Sequence, residues 1–175
     1  LTSSGTGGQP SRISLDAPTA ALQTRVLTRI VGDFLGKSRL PMLVIDAPST
    51  IRDRTRFNAR AAGIMGFSMF GRNITYALND DMSLDVDGVV AFLERHGQAP
   101  FFMFGFTFMV YQHLLGAGAG RVRGLENGIL IHGGGWKKLV DLAIDNEAFK
   151  QRLKDETGLG RVHNYYGLVE QTGSI

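Results

Sequence analysis

The sequence predicts an α/β fold, a mostly parallel sheet flanked by helices, and three observations carry the prediction. Short apolar runs alternate with longer stretches whose apolar residues recur at helical spacing, the order that builds a parallel sheet. Three of the helical stretches are followed by glycine, at Gly36, Gly97 and Gly158, the residue that most readily ends a helix. Unusual residues stand directly after two of the predicted strands, where open parallel sheets collect ligands.

The elements follow in order. A first helix over Ala20 to Leu35 carries Leu22, Val26, Ile30, Val31 and Phe34 at helical spacing. Met42 to Ile45 reads as a buried strand, closed by Pro48, and Thr50 with Asp53 forms a capping pair for a helix reaching about Ala62. Asn73 to Leu78 is a second strand. Asp85 to His96 is a helix with Val86, Val89, Val90 and Leu93 on one face and Gly97 as its left-handed stop. Pro100 to Phe104 is a third strand and Phe106 to Leu115 a helix, after which Gly116 to Gly120 forms a connector or a close-packed turn. Gly128 to Ile131 is a fourth strand, Asn146 to Glu156 a helix, and Val162 to Tyr165 a fifth strand.

The 175 residues suffice for one hydrophobic core, and 43% hydrophobic with 20% charged residues is the composition of an ordinary globular domain. No apolar run approaches the roughly 20 residues of a membrane helix. Nothing resembles a secretion leader, so the expected compartment is the cytoplasm. The net charge of +3 is spread out, with Arg52, Arg54, Arg56 and Arg60 the one local concentration. That group reads as a solvated helix face or, alternatively, as a phosphate-facing patch; nucleic-acid binding is not expected. The absence of cysteine excludes a disulfide, a thiolate ligand and a cysteine nucleophile within these residues.

Three motifs carry candidate chemistry. Thr2-Ser3-Ser4-Gly5-Thr6-Gly7-Gly8-Gln9-Pro10 interleaves glycines with hydroxyls, a composition that cradles phosphate oxygens or forms a plain linker. It lacks the Gly-Lys-Ser/Thr of a Walker loop and the spacing of a dinucleotide fingerprint. His132-Gly133-Gly134-Gly135-Trp136-Lys137-Lys138 follows a predicted strand, where bare backbone either receives a flat ring or makes a tight turn. Asn164-Tyr165-Tyr166-Gly167-Leu168-Val169-Glu170-Gln171 delivers a ring, a glycine and a carboxylate at a strand end, able to stack a base and hold Mg²⁺.

In this order the three motifs resemble the adenylate-forming superfamily of acyl-CoA synthetases, peptide-synthetase adenylation domains and luciferase. The first matches its phosphate loop at Ser4, Gly5, Thr6, Gly8 and Pro10, departing at Gly7 and Ser11, where threonine and lysine are usual. The third matches at Tyr166, Gly167 and Glu170, with Val169 in place of threonine. Pro10-Ser11-Arg12, the Gly-Gly-Gly-Trp-Lys-Lys run and Tyr-Gly-Leu-Val-Glu-Gln-Thr-Gly-Ser are similar to the LuxE-type acyl-protein synthetases. Those enzymes activate a fatty acid as acyl-AMP and pass it to a cysteine, feeding a fatty-acid reductase.

The resemblance implies ATP and Mg²⁺ as cofactors, a fatty or aromatic carboxylic acid as substrate, and an acyl-CoA reductase as partner. It implies that Ser3, Ser4, Gly5, Thr6, Gly7 and Gly8 hold the phosphates, with Thr6 the best hydroxyl donor. Adenine would lie between Gly133, Gly134 and Gly135 on one side and Tyr166 with Gly167 on the other. Glu170 would hold the metal, and Thr6 and Glu170 would be the catalytic groups. Gly105, Phe106, Thr107 and His132 would border the acyl pocket, although each also reads as core or as a structural histidine. The chain would be a single nucleotide-binding domain or subdomain, part of the large N-terminal domain of such an enzyme. It would be an excerpt lacking the C-terminal domain and poorly active alone. Two alternatives stand beside this reading: a phenylacetate-type acyl-CoA ligase, and a non-catalytic nucleotide-binding domain that Gly7 and Val169 would favour.

Overall fold

A computed structural model describes residues 16–52, 59–134, 144–168 and 171–174. Its centre is a six-stranded sheet in the order β2-β1-β3-β4-β5-β6. The strands are β1 (Leu40–Val44), β2 (Gly71–Tyr76), β3 (Phe101–Phe106), β4 (Gly128–Gly133), β5 (Arg161–Leu168) and β6 (Gln171–Ser174). The first five are parallel to their neighbours, and β6 alone runs antiparallel, along β5. The α/β class and mostly parallel sheet expected from the sequence are therefore present.

Strand alternation sorts the core into two layers. Leu43, Phe101, Met103 and Leu130 point to one face, where they meet Val89 and Phe92 of α4 (Val86–His96) and Phe149 and Leu153 of α6 (Asn146–Thr157). Met42, Val44, Phe102, Phe104, Ile129 and Ile131 point to the other, against Val31 of α1 (Ala17–Leu35) and Ile64 and Phe67 of α3 (Ala59–Ser68). Phe101, Phe102 and Phe104 are all fully buried, each contributing about 2–3 kcal/mol of transfer free energy. Because β1, β3 and β4 are covered on both faces, they read in the sequence as continuous apolar runs.

Several local expectations are corrected. The α1 helix starts three residues before Ala20, because Asp16 caps it by accepting from the Thr19 N–H at 2.8 Å. Leu22 and Val26, expected to face the core, are 56% and 39% exposed, and burial begins only at Val31. The left-handed stop expected at Gly97 is absent: its φ of −69° and ψ of −15° are right-handed, and its N–H bonds the Leu93 carbonyl. Thr50 is not a cap. It lies inside the short helix α2 (Ser49–Arg52) and gives its hydroxyl proton to Asp46 at 2.6 Å, while Asp53 lies outside the described residues. Of the helix expected to reach about Ala62, the described parts are α2 and α3, the latter extending to Ser68.

The predicted helix over Phe106 to Leu115 divides into α5 (Thr107–Val110) and a π-helical segment, Tyr111–Gly116. The fifth strand, expected to end at Tyr165, runs on to Leu168 and pairs with β6, so Tyr166 is a strand residue opposite Ser174.

Candidate functional site

The strand order sends the chain from β1 to one side, to β2, and from β3 to the other side, to β4. A parallel sheet opens a crevice at such a switch point, beyond the carboxyl ends of the strands. Asp46 closes β1 on that edge, Thr107 follows β3, Gly133 and Gly134 end β4, and Tyr165 and Tyr166 lie near the end of β5. Residues from four separated parts of the sequence thus line one edge of the sheet.

Thr107 and His132 tie two of these strand ends together. Both are fully buried, and Thr107 Oγ1 lies 2.9 Å from His132 Nδ1, 3.2 Å from the Gly133 carbonyl and 3.3 Å from the Gly134 carbonyl. A hydroxyl has one proton to give. With the imidazole proton on Nδ1, His132 donates to Thr107, whose own proton then serves a glycine carbonyl. The ring also packs against Phe149 of α6, at 5.1 Å between centroids. Burial, followed by the positive charges of Lys150 and His163, pushes the imidazole down to about 4, so it is neutral at physiological pH.

Gly134 is glycine for two reasons. Its φ of +87° strains any other L-residue, and a Cβ there would stand 2.6 Å from the Phe106 ring. Phe106 is half-buried, and α3 passes it on another side, where a Cβ on Gly63 would approach the same ring to 3.2 Å. Gly134 and Phe106 therefore present a flat, partly open surface at the rim. Gly105, by contrast, is a close-approach position inside β3, where a Cβ would come within 2.9 Å of Ile45.

Of the residues expected at the site, Gly133, Gly134, Phe106, Thr107 and His132 are gathered here, with Gly105 in the strand beneath. Gly105, Thr107, His132 and Gly133 are buried, which makes them supports of the crevice, while Phe106 and Gly134 carry exposed surface. Gly133 packs toward Tyr165, and Tyr166 projects from the sheet 63% exposed. Ser3, Ser4, Gly5, Thr6, Gly7, Gly8, Gly135 and Glu170 lie outside the described residues, as does the side-chain environment of Gly167.

The sequence reading missed an ion pair on the same edge. Asp46 is 1% exposed and is held by the Ala47 N–H at 2.8 Å, the Thr50 hydroxyl at 2.6 Å and the Arg60 guanidinium. Arg60 clamps it with two nitrogens, Nε to Oδ2 at 3.0 Å and Nη2 to Oδ1 at 2.5 Å. An acid directly after a buried apolar strand was the available signal; nothing local identified Arg60 as its partner. A cavity of about 480 Å³ lies at the opposite, amino-terminal end of the sheet, bordered by Arg29, Asp33, Lys37, Arg39 and Phe70. It holds none of the motif residues, and the strand-end geometry is the better guide to chemistry. Among the described residues no helix is long and apolar enough to cross a membrane.

Searches of curated proteins and of solved structures found no match to the chain. The family profile described as "Acyl-protein synthetase, LuxE" matches residues 1–174. That match spans the phosphate-loop-like segment, the β4 glycine loop and the Tyr-Gly-x-x-Glu motif, and it shows that the chain belongs to the LuxE family of acyl-protein synthetases.

Proposed function

We propose that the chain binds ATP and activates a carboxylic acid, preferentially a fatty acid, as an acyl-adenylate, for transfer to a protein thiol. The observation that carries this reading is the glycine loop at the carboxyl end of β4. Gly134 is exposed at positive φ beside the half-buried Phe106 ring, next to the switch-point crevice, in a chain of the LuxE family. A flat base can approach such backbone closely, and the exposed Tyr166 ring supplies a candidate stacking partner.

In the proposed reaction a carboxylate oxygen attacks the α-phosphorus of ATP, the bond to the bridging oxygen breaks, and pyrophosphate leaves. The thiolate of an acceptor then attacks the acyl carbonyl and AMP departs. Ser3 to Gly8 would hold the phosphates through backbone N–H groups and the Thr6 hydroxyl. Among the described residues no group of three or more His, Cys, Asp or Glu is placed to hold a metal ion. By the resemblance of the Tyr-Gly-x-x-Glu motif to that of adenylate-forming enzymes, Glu170 would hold a nucleotide-borne Mg²⁺, whose chemistry would be to neutralise charge on the phosphate oxygens. The chain contains no cysteine, so the accepting thiol belongs to another segment or to a partner, with an acyl-CoA reductase the proposed recipient. The compartment proposed with this reading is the cytoplasm.

The test is carboxylate-dependent exchange of labelled pyrophosphate into ATP, run on the intact natural protein with a panel of fatty and aromatic acids. Exchange confined to one acid class is the expected result. Absence of exchange in folded protein that still binds ATP would overturn the reading in favour of a non-catalytic nucleotide-binding domain. Glu170→Gln in the same assay is expected to reduce the Mg²⁺-dependent rate with no change in melting temperature; an unchanged rate removes Glu170 from the metal.

A further inference from the structure

We propose that Arg60 binds an oxyanion of the substrate at the β1/β3 crevice, a carboxylate or a phosphate, with Asp46 as the residue that positions it. The adenylate-forming reading above supplies these two candidate sources; the geometry that points to an oxyanion stands without it.

The first support is how the guanidinium is used. Nε and Nη2 are committed to Asp46, and Nη2 also lies 3.1 Å from the Thr50 hydroxyl. Nη1 carries no hydrogen bond among the described residues, and the Arg60 side chain keeps 27% of its surface exposed while Asp46 keeps 1%. The fork is thus fixed by a buried carboxylate along one edge and open on the other. Burying a carboxylate under an arginine is a poor way to gain stability, since desolvation offsets most of the attraction. It is a good way to fix the direction of a planar donor that recognises oxyanions.

The second support is position. Arg60, Ile64 and Phe67 follow helical spacing on α3, and Ile64 and Phe67 are buried against the sheet. Gly63, about one turn after Arg60, is the residue whose Cβ would approach the Phe106 ring to 3.2 Å, and that ring abuts Gly134. Arg60 therefore stands on the rim that holds the exposed surface of Phe106 and Gly134, at the carboxyl end of the sheet where ligands collect.

The third support is backbone strain beside it. Met82 Sδ lies 4.0 Å from Arg60 Nη2, and Met82 has a φ of 67°, a conformation long side chains rarely adopt. The Ser83 N–H and hydroxyl both bond Asp81, and Asn79 Nδ2 bonds Ser83, holding this loop in place. Strain of this kind persists where the surrounding structure enforces it and concentrates at ligand sites. His113, 4% exposed on the π-helical segment, is close enough for the charges of Asp46 and Arg60 to act on its ring.

The experiment compares wild type, Arg60→Gln, Arg60→Lys and Asp46→Asn in the intact protein, measuring calorimetric affinity for MgATP and for octanoate, and thermal stability. Arg60→Gln is expected to weaken one of the two ligands by about 10- to 100-fold, as loss of a charged hydrogen bond does. The other ligand should be little changed, and the ligand that suffers names the oxyanion. Arg60→Lys should restore part of the loss, and Asp46→Asn should weaken the same ligand as Arg60→Gln. Unchanged affinity for both ligands in Arg60→Gln overturns the proposal. So does an equal loss of both that tracks the melting temperature and is not relieved by lysine, the pattern of a purely structural clamp. Pyrophosphate exchange by the wild type is scored separately: its absence counts against the adenylate-forming reading and leaves the affinity comparison to decide the role of Arg60.

Discussion

His132 shows how one buried group can serve the site and set the pH response of the fold. Its imidazole is fully buried and pushed down to about 4, against about 6.5 for the free side chain. The folded state therefore binds fewer protons than the unfolded state between these values, and stability rises with pH across that window. The contribution is fully present above about pH 6.5 and is lost as pH falls toward 4, a total on the order of 3 kcal/mol. His132→Gln keeps an amide able to meet the Thr107 hydroxyl and has no titration. Its urea-unfolding free energy should fall less steeply between pH 6.5 and 4 than that of wild type. Equal slopes for the two proteins would show that His132 does not carry this term. The sequence placed His132 at the head of the glycine loop; that it bonds Thr107, 25 positions earlier, is information only the fold contains.

At the scale of elements, the crevice depends on how the ends of β3 and β4 are fastened. Thr107 fastens them by hydrogen bonds and Phe106 by contact with Gly134. Gly134→Ala should cost about 1–3 kcal/mol, from backbone strain at a φ of +87° and from a methyl forced against the ring. Phe106→Ala in the same chain should relieve the contact and leave the strain. The double-mutant cycle is then expected to give a coupling energy of about 0.5–1.5 kcal/mol. A coupling of zero would mean that the ring already moves aside at no cost.

Strands β1, β3 and β4 were legible because burial on both faces leaves uninterrupted apolar runs, and α4 and α6 because their periodicity is clear. The short β6 strand was not, since Gln171–Ser174 is polar and gains its order by pairing with β5. The exposed part of α1 was misread because Leu22 and Val26 keep helical spacing, whereas α1 meets the core through Leu27, Val31 and Leu35. The Asp46–Arg60 pair was invisible for a related reason: arginine in a charged stretch looks like a solvated face until a buried partner is known.

Taken whole, the molecule is one sheet between two helical layers, and the crevice stays shaped only while both layers hold the same strands. Phe101 and Phe102 are successive residues of β3, yet the first belongs to the α4/α6 layer and the second to the α1/α3 layer. Such interleaving couples the layers through shared backbone, so they should unfold together. Ile64 on α3 and Leu153 on α6 test this, both almost completely buried and on opposite faces of the sheet. Ile64→Val should cost about 0.5–1.5 kcal/mol and Leu153→Ala about 2–5 kcal/mol in urea. The double variant should match their sum within about 0.5 kcal/mol, because the two sites share no partner, with the m-value unchanged. A lowered m-value, or a second transition in the Leu153→Ala protein alone, would show that the α4/α6 layer opens separately. Arg60 belongs to the α1/α3 layer and His132 to the opposite one, so independent opening would also uncouple the two sides of the crevice.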